Sequence, residues 1–390
     1  MTEQGKAGRT QDERHVSFWD FQAAIELAFV TATMLAAAVL TQLAAGAYGA
    51  EFGYDESSHY VSGLAVHDYL RAFRLQSPLG FIAHYHSAYP LVGIGHWGPF
   101  YYVVEALWML VFGWTRVSVL LLSAVVTSAI GVLVYLASRR IGGGRTLAGM
   151  AGLACVLSPL MQSSTAAILL DGPIALLCLL SMLAYAQYLE TARFWYAALF
   201  TLAATAGLLI KGNAGSLALL PPFALALSGR WLLLRRPSFW LPAVVVVAVA
   251  GPWYWATYGM IAPGFRYHWG WDYTSVAIPE NFGFLLTAFG PLLLLAGAIG
   301  LARVATVGRR LADEWLCACS AALFAAVVLF QAIVPSAIQN RYLAPALPPL
   351  AILAVLGVTG CATGWVAVGW RPFARLPSSP PLPLGSLDCP

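Results

Sequence analysis

Stretches of about 20 apolar residues recur along almost the whole chain, and this feature constrains the fold more than any other. A run of that length is what an α-helix needs to cross the hydrocarbon core of a membrane. The 390 residues are 60% hydrophobic and only 10% charged, with a mean hydropathy of +0.74. Water-soluble domains need far more charged surface. The sequence therefore predicts an all-α, polytopic transmembrane bundle, and we expect no nucleic-acid partner.

The apolar stretches predict about ten membrane spans within a single transmembrane domain at 24–364. The spans are placed at 24–46, 116–138, 146–166, 172–189, 194–211, 213–234, 240–260, 283–305, 315–334 and 343–364. A cytoplasmic segment, 1–23, precedes them, and an external loop, 47–115, follows the first span. The Pro-rich tail 365–390 is expected to be disordered and cytoplasmic. Whether this tail is native or the product of a shortened gene is left open.

The lysines and arginines predict which side of the membrane each loop occupies. With a cytoplasmic N-terminus, all but six of the 21 Lys and Arg residues lie on the inner side. The six external ones are Arg71, Arg74, Arg116, Lys211, Arg266 and Arg341. Because cytoplasmic loops carry an excess of positive charge, this distribution fixes the predicted orientation.

Two segments resist a simple assignment as spans. The apolar and aromatic stretch 99–114 is short, and counting it as a span would reverse every later helix against the arginine pattern. We interpret it as a juxtamembrane or partly inserted helix with its tryptophans and tyrosines at the headgroup level. The spans 194–211 and 213–234 are divided only by Lys211-Gly212-Asn213, so a single kinked or re-entrant passage is the alternative there.

Carboxylates and histidines collect on the predicted external side. Charged groups beside hydrocarbon are costly, so their presence at span ends marks candidate functional sites. Asp55 and Glu56 follow the first span, and Asp171 directly precedes the fourth. The other external groups of these types are Glu51, Asp68, Asp272, Glu280, His59, His67, His84, His86, His96 and His268. This inventory favours chemistry on a polar group that a lipid delivers to the membrane surface.

Five short motifs, in order along the chain, resemble those of one glycosyltransferase family. The motifs are Tyr54-Asp55-Glu56-Ser57-Ser58-His59-Tyr60, Gly95-His96-Trp97-Gly98-Pro99-Phe100-Tyr101-Tyr102, Leu169-Leu170-Asp171-Gly172-Pro173, Ile210-Lys211-Gly212, and Asn340-Arg341-Tyr342 with Pro345 and Pro348-Pro349. They are similar to signatures of the protein mannosyltransferase and aminoarabinose transferase branch of the GT-C superfamily. The chain departs from that pattern at Gly98, where a proline doublet is usual, and in lacking a threonine before Asp171.

The resemblance implies a GT-C-like bundle and a hexosyl- or pentosyltransferase. Such an enzyme moves a sugar from a polyprenyl-phosphate donor to a glycolipid, polysaccharide or protein acceptor. It also implies a bacterial inner membrane, with the active face toward the periplasm or the cell exterior and membrane lipid around the bundle. The sugar and the acceptor are not identified by the sequence.

Three carboxylates are the predicted catalytic residues. Asp55 is the candidate general base that takes the proton of the acceptor hydroxyl as it attacks the anomeric carbon in an inverting reaction. Asp171 is the candidate second carboxylate, and Glu56 either shares the chemistry or orients the loop. The alternative for both aspartates is a helix-capping role.

Four residues are the predicted contacts of the donor phosphate: Lys211, Arg341, Tyr342 and His96. Cations and hydrogen-bond donors in fixed positions stabilise the charge of a departing phosphate. For Lys211 the alternative is a side chain that extends along the helix to reach lipid headgroups. A divalent cation remains undecided, and His84, His86 and His59 are considered as ligands beside Asp55 or Glu56.

Two other classes of function compete with the enzyme. A lipid or sugar transporter or flippase would also be a ten-helix bundle, although transporters place their substrate sites near the midplane and often contain internal repeats. We find no such repeat, and the carboxylates lie at span ends. A non-catalytic partner subunit that keeps the fold is the third hypothesis.

Overall fold

The computed structural model describes residues 4–72, 77–265, 267–307, 311 and 313–362, with side chains described from residue 22 to 361. These residues form helices joined by short turns, and no strand occurs among them; a single isolated bridge joins Ile94 and Trp97. The prediction of an all-α transmembrane bundle is confirmed. The predicted tail 365–390 lies outside the described residues.

Fourteen α-helices are found in the described part of the chain. They are α1 (Gln4–Ala44), α2 (Tyr54–Ala72), α3 (Pro78–Ala88), α4 (Phe100–Phe112), α5 (Arg116–Arg140), α6 (Arg145–Val156), α7 (Pro159–Thr165), α8 (Asp171–Thr191), α9 (Phe194–Leu208), α10 (Leu220–Ser228), α11 (Pro237–Ile261), α12 (Trp271–Val307), α13 (Glu314–Ile333) and α14 (Leu347–Ala362). Four 3₁₀ segments connect some of them: Gly212–Ala218, Trp231–Arg235, Ala262–Gly264 and Asn340–Ala346.

Within the described residues, seven helical segments are long and apolar enough to cross a membrane, or eight if one bent pair counts as a span. The bent pair is α6 and α7, which meet at 59° and occupy the predicted span 146–166. Ser158 accepts a hydrogen bond from Met161 N and thereby starts α7, with Pro159 in its first turn. The chain is a multi-pass membrane protein, and about ten passages agree with the helices observed.

The region 194–234 is divided into short helical pieces. α9 has 15 residues, fewer than any of the seven segments that are long enough to cross a membrane, and ends just before Lys211. The 3₁₀ segment Gly212–Ala218 and the nine-residue α10 follow it. Pro221 and Pro222 stand in the first turn of α10, where a missing N–H costs little. A further break lies in α12 at Gly290, which has a φ of 73° and directly precedes Pro291.

The helices separate into a central group and a peripheral group. α8, α13 and α14 are largely buried, whereas α1 and α11 expose most of their apolar side chains. In a bundle solvated by lipid, this is the expected arrangement, because hydrocarbon tails are as apolar as leucine. The central helices carry the candidate site at their ends, so the site is built on the least exposed part of the fold.

Charged side chains pair across one end of the bundle. Arg145 contacts Glu26 at 2.8 Å, and Arg140 contacts Asp313 at 2.8 Å and Glu190 at 3.6 Å. We call this the arginine-rich end; Arg139, 3.7 Å from Glu26, completes it. It lies at the C-terminus of α8, and the candidate site lies at the N-terminus, so the two are separated by the length of that helix.

Candidate active site

Asp55 lies in the first turn of α2, soon after the chain leaves α1. Its Oδ2 accepts a 2.5 Å hydrogen bond from Arg341 Nη2, 286 residues later in the chain. Arg341 stands in the 3₁₀ segment before α14, and its Nε donates to Gln339 Oε1 at 2.7 Å. This ion pair therefore joins the first turn of α2 to the segment directly before α14.

Asp171 and Lys211 form the second half of the site. Lys211 Nζ donates to Asp171 Oδ1 at 3.0 Å. The other oxygen, Oδ2, lies 3.9 Å from Arg341 Nε and makes no hydrogen bond to a described residue. Arg341 is thus shared by two carboxylates, and charges of opposite sign alternate through the cluster. We call Asp55, Arg341, Asp171 and Lys211 the site network.

Helix ends favour two of these charges. Asp171 is the first residue of α8, where the partial positive charge of a helix N-terminus stabilises a carboxylate. Lys211 follows the C-terminus of α9, where the partial charge is negative and stabilises a cation. The Oδ1 atom of Asp171 pairs with Lys211 and its Oδ2 lies 3.9 Å from Arg341 Nε, so the carboxylate is oriented toward cations of other segments. The local fold thereby presents an ion pair at the end of two neighbouring helices.

Tyr342 packs against both cations of the site network. Its ring centroid lies 4.3 Å from Lys211 Nζ and 5.8 Å from Arg341 Cζ. A cation over an aromatic face is attracted to the ring. These contacts add to the ion pairs that hold the two cations in position.

The turn before α4 sets the position of Lys211. Gly98 N donates to Ile210 O at 3.0 Å, and Phe100 N donates to Leu209 O at 3.0 Å. A Cβ atom at Gly98 would lie 2.0 Å from Leu209 O, so only glycine permits this close approach. Proline at this position would also lack the N–H that bonds Ile210. The departure from the family pattern at Gly98 therefore has a local structural reason.

Glu56 makes a different set of contacts from Asp55. Its Oε1 accepts a hydrogen bond from Arg116 Nη2 at 2.8 Å and one from Ile168 N at 3.3 Å. Its Oε2 accepts from Gly53 N at 3.3 Å, which is half of a capping box at the start of α2. Glu56 is buried and ties α2 to the beginning of α5 and to the segment before α8. This geometry corresponds to the loop-orienting role considered for it.

His96 lies beside the aromatic segment but bonds away from the site network. Its Nδ1 is 2.9 Å from Met260 O at the end of α11, and its ring contacts Trp97 with centroids 4.6 Å apart. His96 therefore links the external loop to α11. Of the predicted phosphate contacts, Lys211, Arg341 and Tyr342 are brought together, while His96 has no hydrogen bond to any of them.

Sequence reasoning considered His59 only as a metal ligand. The structure places it one helical turn after Asp55 on α2, with Nδ1 2.9 Å from the Tyr102 hydroxyl. Its ring meets Trp97 edge-on with centroids 4.5 Å apart. The spacing of four from Asp55 could have identified it, had the start of α2 been predicted at Tyr54.

No group of three or more His, Cys, Asp or Glu side chains among the described residues is arranged to hold a metal ion. Asp68 instead bonds His67 Nδ1 at 2.9 Å and the Tyr85 hydroxyl at 3.0 Å. His84 and His86 lie on the short helix α3, where a spacing of two does not put side chains on one face.

Two pKa values in α2 follow from the site network. Burial raises the pKa of Asp55, but the hydrogen bond and charge of Arg341 outweigh burial, so this pKa lies below its usual range. Asp55 is therefore ionised at neutral pH and able to accept a proton. Burial lowers the pKa of His59 to about 3, and the charge of Lys211 acts in the same direction. The imidazole is therefore neutral.

Comparison with known proteins adds to this geometry a family match over part of the chain and a similar fold. A family model described as dolichyl-phosphate-mannose-protein mannosyltransferase matches residues 96–255, which contain Asp171 and Lys211. The structure of ArnT from Cupriavidus metallidurans bound to undecaprenyl phosphate superposes with a TM-score of 0.58 at 17% identity. It covers 84% of this chain and 60% of that protein.

The chain has the GT-C fold. The same ArnT in the apo state superposes with a TM-score of 0.56 at 18% identity, over 87% of this chain and 62% of that one. The predicted resemblance to the mannosyltransferase and aminoarabinose transferase branch of the GT-C superfamily is confirmed. The chain spans about three fifths of the length of those structures. No functionally curated protein matches its sequence.

Proposed function

We propose that this protein is a glycosyltransferase that moves a sugar from a polyprenyl-phosphate donor to an acceptor hydroxyl at the external membrane face. The observation that carries the proposal is the site network, in which four charged side chains from separate parts of the chain meet at one end of the bundle. The mannosyltransferase family match and the GT-C fold support it.

Asp55 is the proposed general base. It is ionised, 32% of its side chain is exposed, and it pairs directly with Arg341, one of the two cations that would hold a phosphate. In a single displacement, the acceptor oxygen forms a bond to the anomeric carbon as the bond to the phosphate oxygen breaks. The hydroxyl proton passes to Asp55, and the electron pair of the broken bond stays on the phosphate. Such a step inverts the anomeric configuration and gains about 10²–10⁴-fold from the base.

Lys211 and Arg341 are the proposed phosphate contacts. Both are held in place before any ligand arrives, Lys211 by Asp171 and Arg341 by Asp55 and Gln339. Fixed donors cost no reorganisation when charge develops on the leaving group. Asp171 would keep Lys211 oriented, and its buried Oδ2, 3.9 Å from Arg341 Nε, would help to hold the guanidinium as well.

The donor phosphate and Asp55 would compete for Arg341. A phosphate that binds the guanidinium weakens the ion pair that lowers the pKa of Asp55. The carboxylate then becomes a stronger base, because base strength follows pKa. Donor binding would thereby prepare the base for the acceptor, which protects the free enzyme against unproductive proton transfer.

The lipid-linked donor follows from where the site lies. The site network stands at the ends of α8, α9 and α14, beside helices that expose apolar faces to the membrane. A polyprenyl chain stays in the hydrocarbon while its phosphate reaches the cations at the surface. The ArnT structure that this chain resembles was obtained with undecaprenyl phosphate. The arginine distribution supports an external position for this face, toward the periplasm or cell exterior of a bacterial inner membrane.

The proposal is tested by reconstituting the purified protein into liposomes with radiolabelled polyprenyl-phosphate hexose and pentose donors. Glycolipid, polysaccharide and peptide acceptors are supplied in parallel. We expect label in a new glycosidic bond, release of polyprenyl phosphate, and inversion at the anomeric carbon by NMR. Movement of intact donor between leaflets without bond cleavage would instead identify a flippase.

The orientation is tested separately in intact spheroplasts. Glu51 is exposed in the loop after α1, so a Glu51→Cys variant should react with a membrane-impermeant thiol reagent. An Arg193→Cys variant, at the other end of the bundle, should react only after lysis. The opposite pattern would place the site network in the cytoplasm and overturn the external assignment.

A further inference from the structure

We propose that His59 is a substrate-binding residue whose uncharged Nε2 hydrogen-bonds a hydroxyl of the donor sugar beside Asp55. This inference deepens the proposed function and depends on it. It rests on four features of the imidazole: its place on α2, its two fixed contacts, its unpartnered second nitrogen and its lack of charge.

His59 is directed toward the same region as the proposed base. Residues four apart on a helix lie on one face, one turn above the other, so His59 and Asp55 are neighbours on α2. Trp97, which the His59 ring contacts, directly precedes Gly98, and Gly98 N bonds the carbonyl of Ile210 next to Lys211. The ring therefore lies close to the site network.

The ring is held firmly on its other side. Nδ1 bonds the Tyr102 hydroxyl of α4 at 2.9 Å, and the ring packs edge-on against Trp97. Tyr102 is itself fully buried. Side chains whose rotamers are locked in this way hold a ligand contact with the accuracy that recognition needs.

The second ring nitrogen is free to bind. Nε2 makes no hydrogen bond to a described residue, although only 3% of His59 is exposed. It is not among the enclosed polar atoms that lack a partner, so it keeps a narrow contact with solvent. A buried side chain with one hydrogen-bonded and one accessible nitrogen can hold a polar ligand atom in a fixed position.

The chemistry of Nε2 selects a hydroxyl. If the Tyr102 hydroxyl donates to Nδ1, Nε2 carries the proton and donates; if Nδ1 donates, Nε2 accepts. A hydroxyl suits either tautomer because it both donates and accepts. The site network offers only acceptor carboxylates and donor cations. A neutral imidazole adds a group that binds a sugar without upsetting the charge balance that the network provides for the phosphate.

Two substitutions separate binding from scaffolding. In His59→Asn the amide can replace Nδ1 and keep the bond to Tyr102, but it does not reach the position of Nε2. In His59→Gln the amide nitrogen reaches the position of Nε2 but loses the bond to Tyr102. We expect transfer to fall about tenfold in His59→Asn, the size expected for one lost hydrogen bond, and to be retained better in His59→Gln. Exposed His86, replaced by glutamine, is the matched control and should leave transfer unchanged.

The deciding experiment uses monodeoxy analogues of the donor sugar with the wild-type protein and His59→Asn. One deoxy position should slow the wild type about tenfold and cause no further loss in His59→Asn, because both changes remove the same bond. If every analogue slows both proteins equally, His59 does not bind the sugar. If the wild type transfers no sugar from the parent donor, the proposed function itself fails, which is a distinct outcome.

Discussion

α8 carries a carboxylate at each end, and the two ends differ in how the fold treats charge. At the arginine-rich end, Glu190 is 44% exposed and its partner Arg140 is 48% exposed. At the site network, Asp171 is 4% exposed and Lys211 is 12% exposed. Exposed ion pairs add at most about 1 kcal/mol, whereas buried ones carry a desolvation cost of several kcal/mol per ion. At the site network both partners of the Asp171–Lys211 pair bear that cost, whereas at the arginine-rich end the largely buried Asp313 pairs with a half-exposed Arg140. We place chemistry at the end where both charges are buried.

The largest effect is expected from Asp55→Asn, which keeps the shape of the side chain and removes the base. Transfer should fall by about 10²–10⁴-fold. Glu190→Gln removes a carboxylate from the opposite end and serves as the control, with transfer close to that of the wild type. The measurement is the rate of sugar transfer by membranes that contain equal amounts of each variant. Substantial activity in Asp55→Asn would remove this residue from the mechanism.

Arg341→Ala should have the next largest effect, because it leaves two carboxylates without their shared cation. We expect kcat/KM for the lipid donor to fall by about 10- to 100-fold, the size of a lost hydrogen bond between charged groups. Use of the acceptor should change much less. Initial rates measured with each substrate varied in turn check this, and equal losses for both substrates would indicate a folding defect instead.

Gly98→Ala tests whether backbone pairing positions the site network. The added Cβ would meet Leu209 O at 2.0 Å, so the turn must move away from the end of α9. We expect a loss of about 1–3 kcal/mol of stability from this overpacking, together with weaker transfer. Gly49→Ala, in the same external loop with open space around its Cβ, is the control. Equal unfolding temperatures for the two variants in detergent would contradict the prediction.

Glu105→Gln is expected to change pH dependence more than activity. Burial raises the pKa of Glu105, on α4, well above its usual value, and no described residue hydrogen-bonds its oxygens. The folded protein therefore keeps this proton while the unfolded chain releases it above about pH 4.5, so folding loses stability as pH rises. Glutamine does not titrate, so Glu105→Gln does not lose stability in this way as pH rises.

Unfolding temperatures between pH 5 and pH 8 should thus fall less steeply in Glu105→Gln than in the wild type. Glu56→Gln is a useful contrast, because the charge of Glu56 is used in its 2.8 Å ion pair with Arg116. That variant should be less stable throughout. The same pH slope in Glu105→Gln and the wild type would show that Glu105 is ionised in the folded protein.

The smallest effect is expected from Arg145→Ala at the arginine-rich end. Its side chain is 69% exposed, and its pair with Glu26 should contribute less than about 1 kcal/mol. Transfer and unfolding temperature should both stay near wild-type values in detergent at moderate salt. A large loss of transfer or of unfolding temperature would show that an exposed ion pair at this end contributes as much as the buried pairs of the site network.

The sequence predicted the class of fold because the length of an apolar run is set by the membrane itself. The sequence also predicted that Asp55, Asp171, Lys211 and Arg341 lie at one end of the bundle. Each motif adjoins the end of a span, and the arginines indicate the direction of every span. The number of complete crossings was less accessible. Lys211-Gly212-Asn213 and the two prolines of α10 divide one region into short pieces, and how such pieces pack depends on tertiary contacts.

Side-chain direction was the part that the sequence could not supply. Asp55 and Glu56 are adjacent, yet successive residues on a helix point about 100° apart, so only one of them faces Arg341. His59 lies near Asp55 because it follows that residue by about one turn of α2. The bond between His96 and Met260 joins residues 164 apart in sequence, and no local pattern encodes it.

The shortness of α9 has a consequence for how the external loop joins the bundle. Its 15 residues rise about 22 Å, whereas the 21 residues of the neighbouring α8 rise about 31 Å. Lys211 nevertheless contacts Asp171 at the start of α8, so residues 209–211 cover the remaining distance as a turn. In that turn the carbonyls of Leu209 and Ile210 accept the N–H groups of Phe100 and Gly98. A longer α9 would use these carbonyls in its own hydrogen bonds and leave the loop no backbone edge on which to dock.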